Sequence, residues 1–147
     1  MKIAVQSDPF DFNAEVSGFA QGRSDLGAIV TFSGIVRDTG DDALIGMEIE
    51  HYPGMTEAAL TQFTREAIDR FALGDALVIH RHGVLKPGET IMMVATAARH
   101  RKNAFEAAEY LMDYLKSRAP FWKREVTTQG AKWVDAKAED ESALERW

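Results

Sequence analysis

Cysteine is absent from all 147 residues. Its absence excludes disulfides, thiolate metal sites and a cysteine nucleophile, and the chain cannot carry sulfur as a persulfide of its own. Positive charge is scarce as well: 17 lysines and arginines face 23 aspartates and glutamates, for a net charge of -6. Non-specific nucleic-acid binding depends on a basic surface, so that class of function is disfavoured. No apolar run approaches the ~20 residues of a membrane-spanning helix. The segment Met1 to Asp8 lacks the apolar stretch of a secretory signal, and a cytoplasmic protein is expected. Internal repeats, low-complexity linkers, a His-Glu-x-x-His pair, a Gly-x-Ser-x-Gly elbow and a phosphate-binding glycine loop are all missing.

What is present is an ordinary globular balance, 46% hydrophobic and 27% charged residues, on a chain long enough to bury a core. Lys2 to Gln6 reads as a strand and Asp11 to Ala20 as a short helix. Gly27 to Arg37 and Leu44 to Tyr52 read as strands around a polar segment at Asp38 to Asp42. Pro53-Gly54 breaks the chain, and Thr56 can cap a helix to about Phe71 with Leu60, Phe63, Ala67, Ile68 and Phe71 on one face. Ala76 to Leu85 and Thr90 to Ala98 read as a hairpin around Lys86-Pro87-Gly88-Glu89. Asn103 and Glu106 have capping-box spacing for a second long helix, which Ala119-Pro120 stops. Phe121 to Thr128 and Lys132 to Lys137 read as two more strands. The spacing predicts a single α+β domain over 1–147, with a mainly antiparallel sheet, two long helices and a charged tail at 138–147.

Three places could carry chemistry. Arg99-His100-Arg101-Lys102 crowds cations at a helix N-terminus, where they oppose the helix dipole. An anion there would be held by side chains and free backbone N–H groups together, although a solvated basic turn has the same spacing. Lys116 and Arg118 lie in the last turn of that helix, where cations are favoured anyway. On the following strand, Phe121, Lys123 and Glu125 share one face and Trp122, Arg124 and Val126 the other. A lysine packed among aromatics loses hydration, which lowers its pKa toward a working acid or base. A lysine that protects a sheet edge is the other reading of Lys123. Arg37, at a strand end beside a loop, is the third candidate.

His80 and His82 lie on one face of a strand and form a possible metal pair, but no third ligand has a diagnostic spacing, and no metal is expected.

Longer segments are more specific. They are His51-Tyr52-Pro53-Gly54-Met55-Thr56-Glu57, Val78-Ile79-His80-Arg81 followed by Gly83, and the block Met112-Asp113-Tyr114-Leu115-Lys116-Ser117-Arg118-Ala119-Pro120-Phe121-Trp122-Lys123-Arg124-Glu125. With Val30-Thr31-Phe32-Ser33-Gly34-Ile35-Val36-Arg37, they resemble the molybdopterin synthase large-subunit family, in register over nearly the whole chain. The resemblance implies an α/β hammerhead fold and a homodimer that binds a small ubiquitin-like sulfur carrier at each end. The carrier's Gly-Gly tail, ending in a thiocarboxylate, would enter a pocket, and the substrate would be cyclic pyranopterin monophosphate (precursor Z). Two sulfur transfers would then form the dithiolene of molybdopterin, with no cofactor on this chain.

By position, Lys116 and Lys123 match that family's active-site lysines, and Arg37, His100 and Arg101 its anion- and pterin-binding residues. Ile35, Val36, Arg124 and Glu125 are expected to line the same pocket. The resemblance gives Lys123 acid–base steps, and gives Lys116 the orientation of the carrier's C-terminal group or a transient adduct with it. Two departures stand out. The segment Asp38 to Ala43 is shorter and more acidic than the family's. Lys137 replaces an arginine that would reach the neighbouring subunit's site, keeping the charge but losing bidentate geometry. A non-catalytic dimeric module that grips a ubiquitin-like tail would keep the groove but not the lysines and the His100-Arg101 pair.

Overall fold

A computed structural model describes residues 1–38, 40, 44–135 and 137–147. The expectation of a short acidic loop over Asp38 to Ala43 therefore falls largely outside the described residues. The elements run β1 (Lys2–Gln6), α1 (Phe12–Gly18), β2 (Ala28–Ile35), β3 (Leu44–His51), α2 (Met55–Phe71), β4 (Leu73–Arg81), β5 (Gly83–Leu85), β6 (Thr90–Ala98), α3 (Arg101–Ser117), β7 (Phe121–Thr127), β8 (Gly130–Trp133) and α4 (Ala138–Ala143).

The α+β class and the two long helices are as expected, but the strands form two sheets. One has the order β1-β4-β6-β2 and the other β5-β3-β7-β8. Among the described residues only the β1–β4 pair is parallel.

The first sheet is covered on both faces. Val78, Met92, Val94 and Ala98 pack with α2 and α3, while Leu77, Ile79, Met93, Ala95 and Ala97 pack toward Phe19 and α1. Successive side chains on a strand point to opposite faces, so burial on both sides produces the unbroken apolar runs of β4 and β6. Leu111 of α3 is 1% exposed within this core. Leu111→Ala is expected to cost about 2–5 kcal/mol, read as a lower urea midpoint at unchanged slope.

Local chemistry corrects several boundaries. The strand expected over Ala76 to Leu85 splits after Arg81: Gly83 has φ 92°, and β5 leaves for the second sheet to pair with β3. The hairpin partner of β6 is β4, with His80 opposite Met92. The Pro87-Gly88 turn stands, with the Glu89 N–H donating to the Lys86 carbonyl at 3.0 Å and Gly88 at φ 87°, as position i+2 of a type II turn requires.

α2 begins one residue earlier than Thr56. The Glu57 carboxylate accepts from the Gly54 N–H at 2.7 Å, whereas the Thr56 hydroxyl accepts from the Tyr52 N–H at 3.0 Å. α3 begins at Arg101 with His100 as its cap residue, and Asn103 is no cap. Its side chain donates to the Phe71 carbonyl at 2.9 Å, tying α3 to the end of α2. β8 ends at Trp133, so the strand expected over Lys132 to Lys137 lies earlier, at Gly130–Trp133.

Candidate active site

The C-terminal turn of α3, the Ala119-Pro120 corner and the start of β7 enclose a cleft of about 510 Å³. Lys116, Lys123, Phe121, Trp133, Lys137 and Asp140 are among its walls. A smaller recess of about 190 Å³ adjoins it, lined by Phe32, Gly34, Ile35, Met92 and Met112. His80, Leu115, Lys116 and Lys123 belong to both cavities and mark where they meet.

The proline corner explains how two lysines arrive together. Helix geometry ends at Arg118, and the chain reverses into β7 through Ala119-Pro120. Lys116 therefore leans in from the last helical turn while Lys123 projects from the strand. Lys116 is half-exposed and lies 3.8 Å from Asp140 of α4. Lys123 is largely buried. Its pKa is lowered from the ordinary lysine value, first by lost hydration and second by the Lys116 charge, with Asp140 pulling the other way.

Sign matters for stability. An ammonium whose folded pKa is depressed penalises the fold below that pKa, and the penalty is relieved as pH rises from there toward the unfolded value of 10.5. Lys123→Met is therefore expected to unfold at higher temperature than wild type at neutral pH, with a gain on the order of 1 kcal/mol. The difference should shrink at alkaline pH in a calorimetric series.

His80 is buried, and its ring stacks on Phe121 at 3.7 Å with planes 17° apart. Burial comes first, and the nearby Lys123 charge adds to it, in pushing its pKa down to about 3, so the imidazole is neutral. His82 lies beyond the strand and packs instead on His51 at 4.2 Å between ring centroids. The two histidines expected to share a face are thus separated by the break after Arg81. Among the described residues no group of three His, Cys, Asp or Glu side chains is placed to hold a metal.

The other expected site residues divide. Ile35 lines the recess. Val36 does not: it is buried in the core, and its N–H bonds the Glu89 carbonyl at 2.9 Å. Arg124 points to the opposite face of β7, where it pairs with Glu48 and lies 5.2 Å over the Trp133 ring. Neither Arg124 nor Glu125 lines the cleft or the recess: Arg124 is held by Glu48, and Glu125 lies further along the strand. Arg37 is exposed just past β2. His100 and Arg101 are exposed at the start of α3. Lys116 stands at the other end, about 22 Å along the axis at 1.5 Å per residue. One chain therefore brings Lys116, Lys123 and Ile35 together, and not His100 or Arg101.

Sequence reasoning missed His80, Met112 and Asp140 as wall residues. Only for His80 is there a signal, an imidazole beside the apolar run Val78-Ile79, and the same residue also offers a possible metal pair with His82 that the spacing does not complete. Lys137, which stands where the resemblance places an arginine that reaches the neighbouring subunit's site, lines the cleft of its own chain.

Residues 5–118 match the family model described as MoaE protein. The chain is 64% identical, over the full length of both sequences, to the molybdopterin synthase catalytic subunit of Cereibacter sphaeroides. Among solved structures it resembles the molybdopterin biosynthesis MoaE protein from Burkholderia ambifaria, with a TM-score of 0.85, 48% identity, and 99% of this chain and 97% of that one covered. It also resembles molybdopterin synthase from Staphylococcus aureus, with a TM-score of 0.82, 28% identity, and coverage of 90% and 96%.

Proposed function

The chain belongs to the MoaE protein family, and we propose that its Lys116–Lys123 cleft performs the sulfur transfer of molybdopterin synthase, for which this chain supplies the catalytic subunit. The observation that carries the assignment to this cleft is the meeting of two cavities at a pair of lysines, one hydrated and one largely desolvated. Two reactants need two adjoining spaces and a shared junction, and holding them side by side is itself a large part of catalysis.

The sulfur donor is the thiocarboxylate at the Gly-Gly tail of a small ubiquitin-like subunit, and the acceptor is cyclic pyranopterin monophosphate. The thiocarboxylate sulfur attacks an oxygen-bearing side-chain carbon of the pterin: a C–S bond forms, the C–O bond at that carbon breaks, its oxygen leaves with a proton, and the carrier is left as an S-acyl thioester on the pterin. Hydrolysis then leaves sulfur on the pterin and a carboxylate on the carrier. Lys116, exposed at the mouth, neutralises and orients the carrier's terminal group. Lys123, whose lowered pKa places it nearer to neutrality, moves protons at the reacting carbon. A second carrier supplies the second sulfur of the dithiolene.

Arg37, His100 and Arg101 hold the phosphate or the pterin in this reading. The distance of His100 and Arg101 from Lys116 along α3 favours a homodimer in which a second copy supplies these two. Edge strand β2 supports self-association: Ile29, Phe32 and Ile35 are 49%, 42% and 57% exposed there, on a strand with one free edge, and two of them line the recess.

Residues 1–147 act as one domain, since Trp147 packs on Phe71 and Tyr110 and Ser117 donates to the Asp140 carbonyl at 2.8 Å. No helix among the described residues is long and apolar enough to cross a membrane, and the cytoplasm is the proposed location.

Mass spectrometry of the carrier tests the reaction. Thiocarboxylate should convert to carboxylate when this chain and the pterin are both present. Conversion at the same rate without the pterin would point to simple hydrolysis instead.

A further inference from the structure

His80 takes no part in the chemistry above, yet it stands where the cleft and the recess meet. It is 4% exposed and lines both cavities. Its Nδ1 lies 2.8 Å from the Arg81 carbonyl oxygen. A carbonyl only accepts, so Nδ1 carries the proton and Nε2 keeps its lone pair. Stacking on Phe121 fixes the ring plane.

Nε2 has no hydrogen-bond partner among the described residues. It is the ring nitrogen left for a ligand on a side chain that lines both cavities. A neutral ring with a pKa near 3 is a poor base at neutral pH and remains an acceptor. Among the side chains lining the recess, the lysines only donate and the methionine sulfurs accept weakly, which leaves His80 as the one strong acceptor.

We propose that His80 is a specificity-determining residue: its Nε2 accepts a hydrogen bond from an N–H of the ligand that occupies the junction between Lys116 and Lys123. The inference rests on the reading of this cleft as the sulfur-transfer site. An amide-type N–H is the chemistry required. A Gly-Gly tail offers one in its peptide bonds and a pterin offers one in its ring, and the experiment separates these sources.

His80→Asn keeps an N–H near the Nδ1 position and removes the Nε2 acceptor. His80→Gln can return an amide oxygen to that place. Thermal unfolding first confirms that both variants fold. KM for the cyclic pterin is then measured at saturating carrier, and carrier affinity is titrated with and without its last two glycines. His80→Asn should weaken one of these by about tenfold, with the effect in KM or affinity rather than in kcat, and His80→Gln should restore most of the loss.

A rise in pterin KM identifies the ring N–H. Weaker carrier binding that vanishes on removal of the two glycines identifies the peptide N–H. Wild-type values for His80→Asn in both assays would overturn the proposal. So would a His80→Gln variant no better than His80→Asn, or a changed pH profile of kcat. If wild type makes no product, the reading of the cleft fails first, and the carrier titration still tests the histidine.

Discussion

Replacing Lys123 with alanine is expected to lower product formation by about 10²–10⁴-fold, the usual contribution of a positioned acid or base, while the protein remains folded. The desolvation that lowers its pKa raises the fraction of free amine available near neutrality. Wild-type activity should accordingly rise with pH through a midpoint below 10.5, the ordinary lysine value. Lys123→Arg keeps a cation that does not deprotonate, and should be nearly as inactive as Lys123→Ala. Initial rates at saturating carrier and pterin, with circular dichroism as the fold control, make the comparison. Near wild-type turnover in Lys123→Arg would show that charge alone suffices and that no proton moves through this side chain.

The second large effect concerns the basic residues at the far end of α3. A His100→Ala, Arg101→Ala double variant and the Lys123→Ala variant should each be almost inactive alone. Co-expressed, they should recover roughly a quarter of wild-type activity. Random pairing makes about half of the dimers mixed, and each mixed dimer has one of its two sites intact. The basis is distance: about 22 Å of helix separates Arg101 from Lys116, too far for one small pterin to touch both within a chain. Recovery near zero, in dimers shown by mass to be mixed, would place the whole site in one chain and assign the basic turn another role.

Much of this architecture was legible in the sequence, and the failures have physical causes. Periodicity located α2 and α3, and the apolar runs of β4 and β6 were visible because both faces of their sheet are buried. The alternation of Phe121 and Lys123 against Trp122 and Arg124 was readable from strand geometry alone. It set Lys123 and Arg124 on opposite faces of the strand, and of the two it is Lys123 that lines the cleft.

What escaped depended on distant partners. Asn103 has cap spacing, but the Phe71 carbonyl takes its side chain. The break after Arg81 reflects β5 joining a different sheet through β3. His80 acquires its meaning from Phe121, Lys116 and Lys123, which only the fold brings to it.

The central claim is that this cleft joins carrier sulfur to the pterin. It is tested most directly by mixing the purified chain with thiocarboxylated carrier and cyclic pyranopterin monophosphate, and quantifying the dithiolene through its oxidised fluorescent derivative. Product should form only with all components present, and two thiocarboxylates should be consumed for each dithiolene. A stable complex with the carrier that yields no product would contradict the claim and leave a module that grips the tail without chemistry.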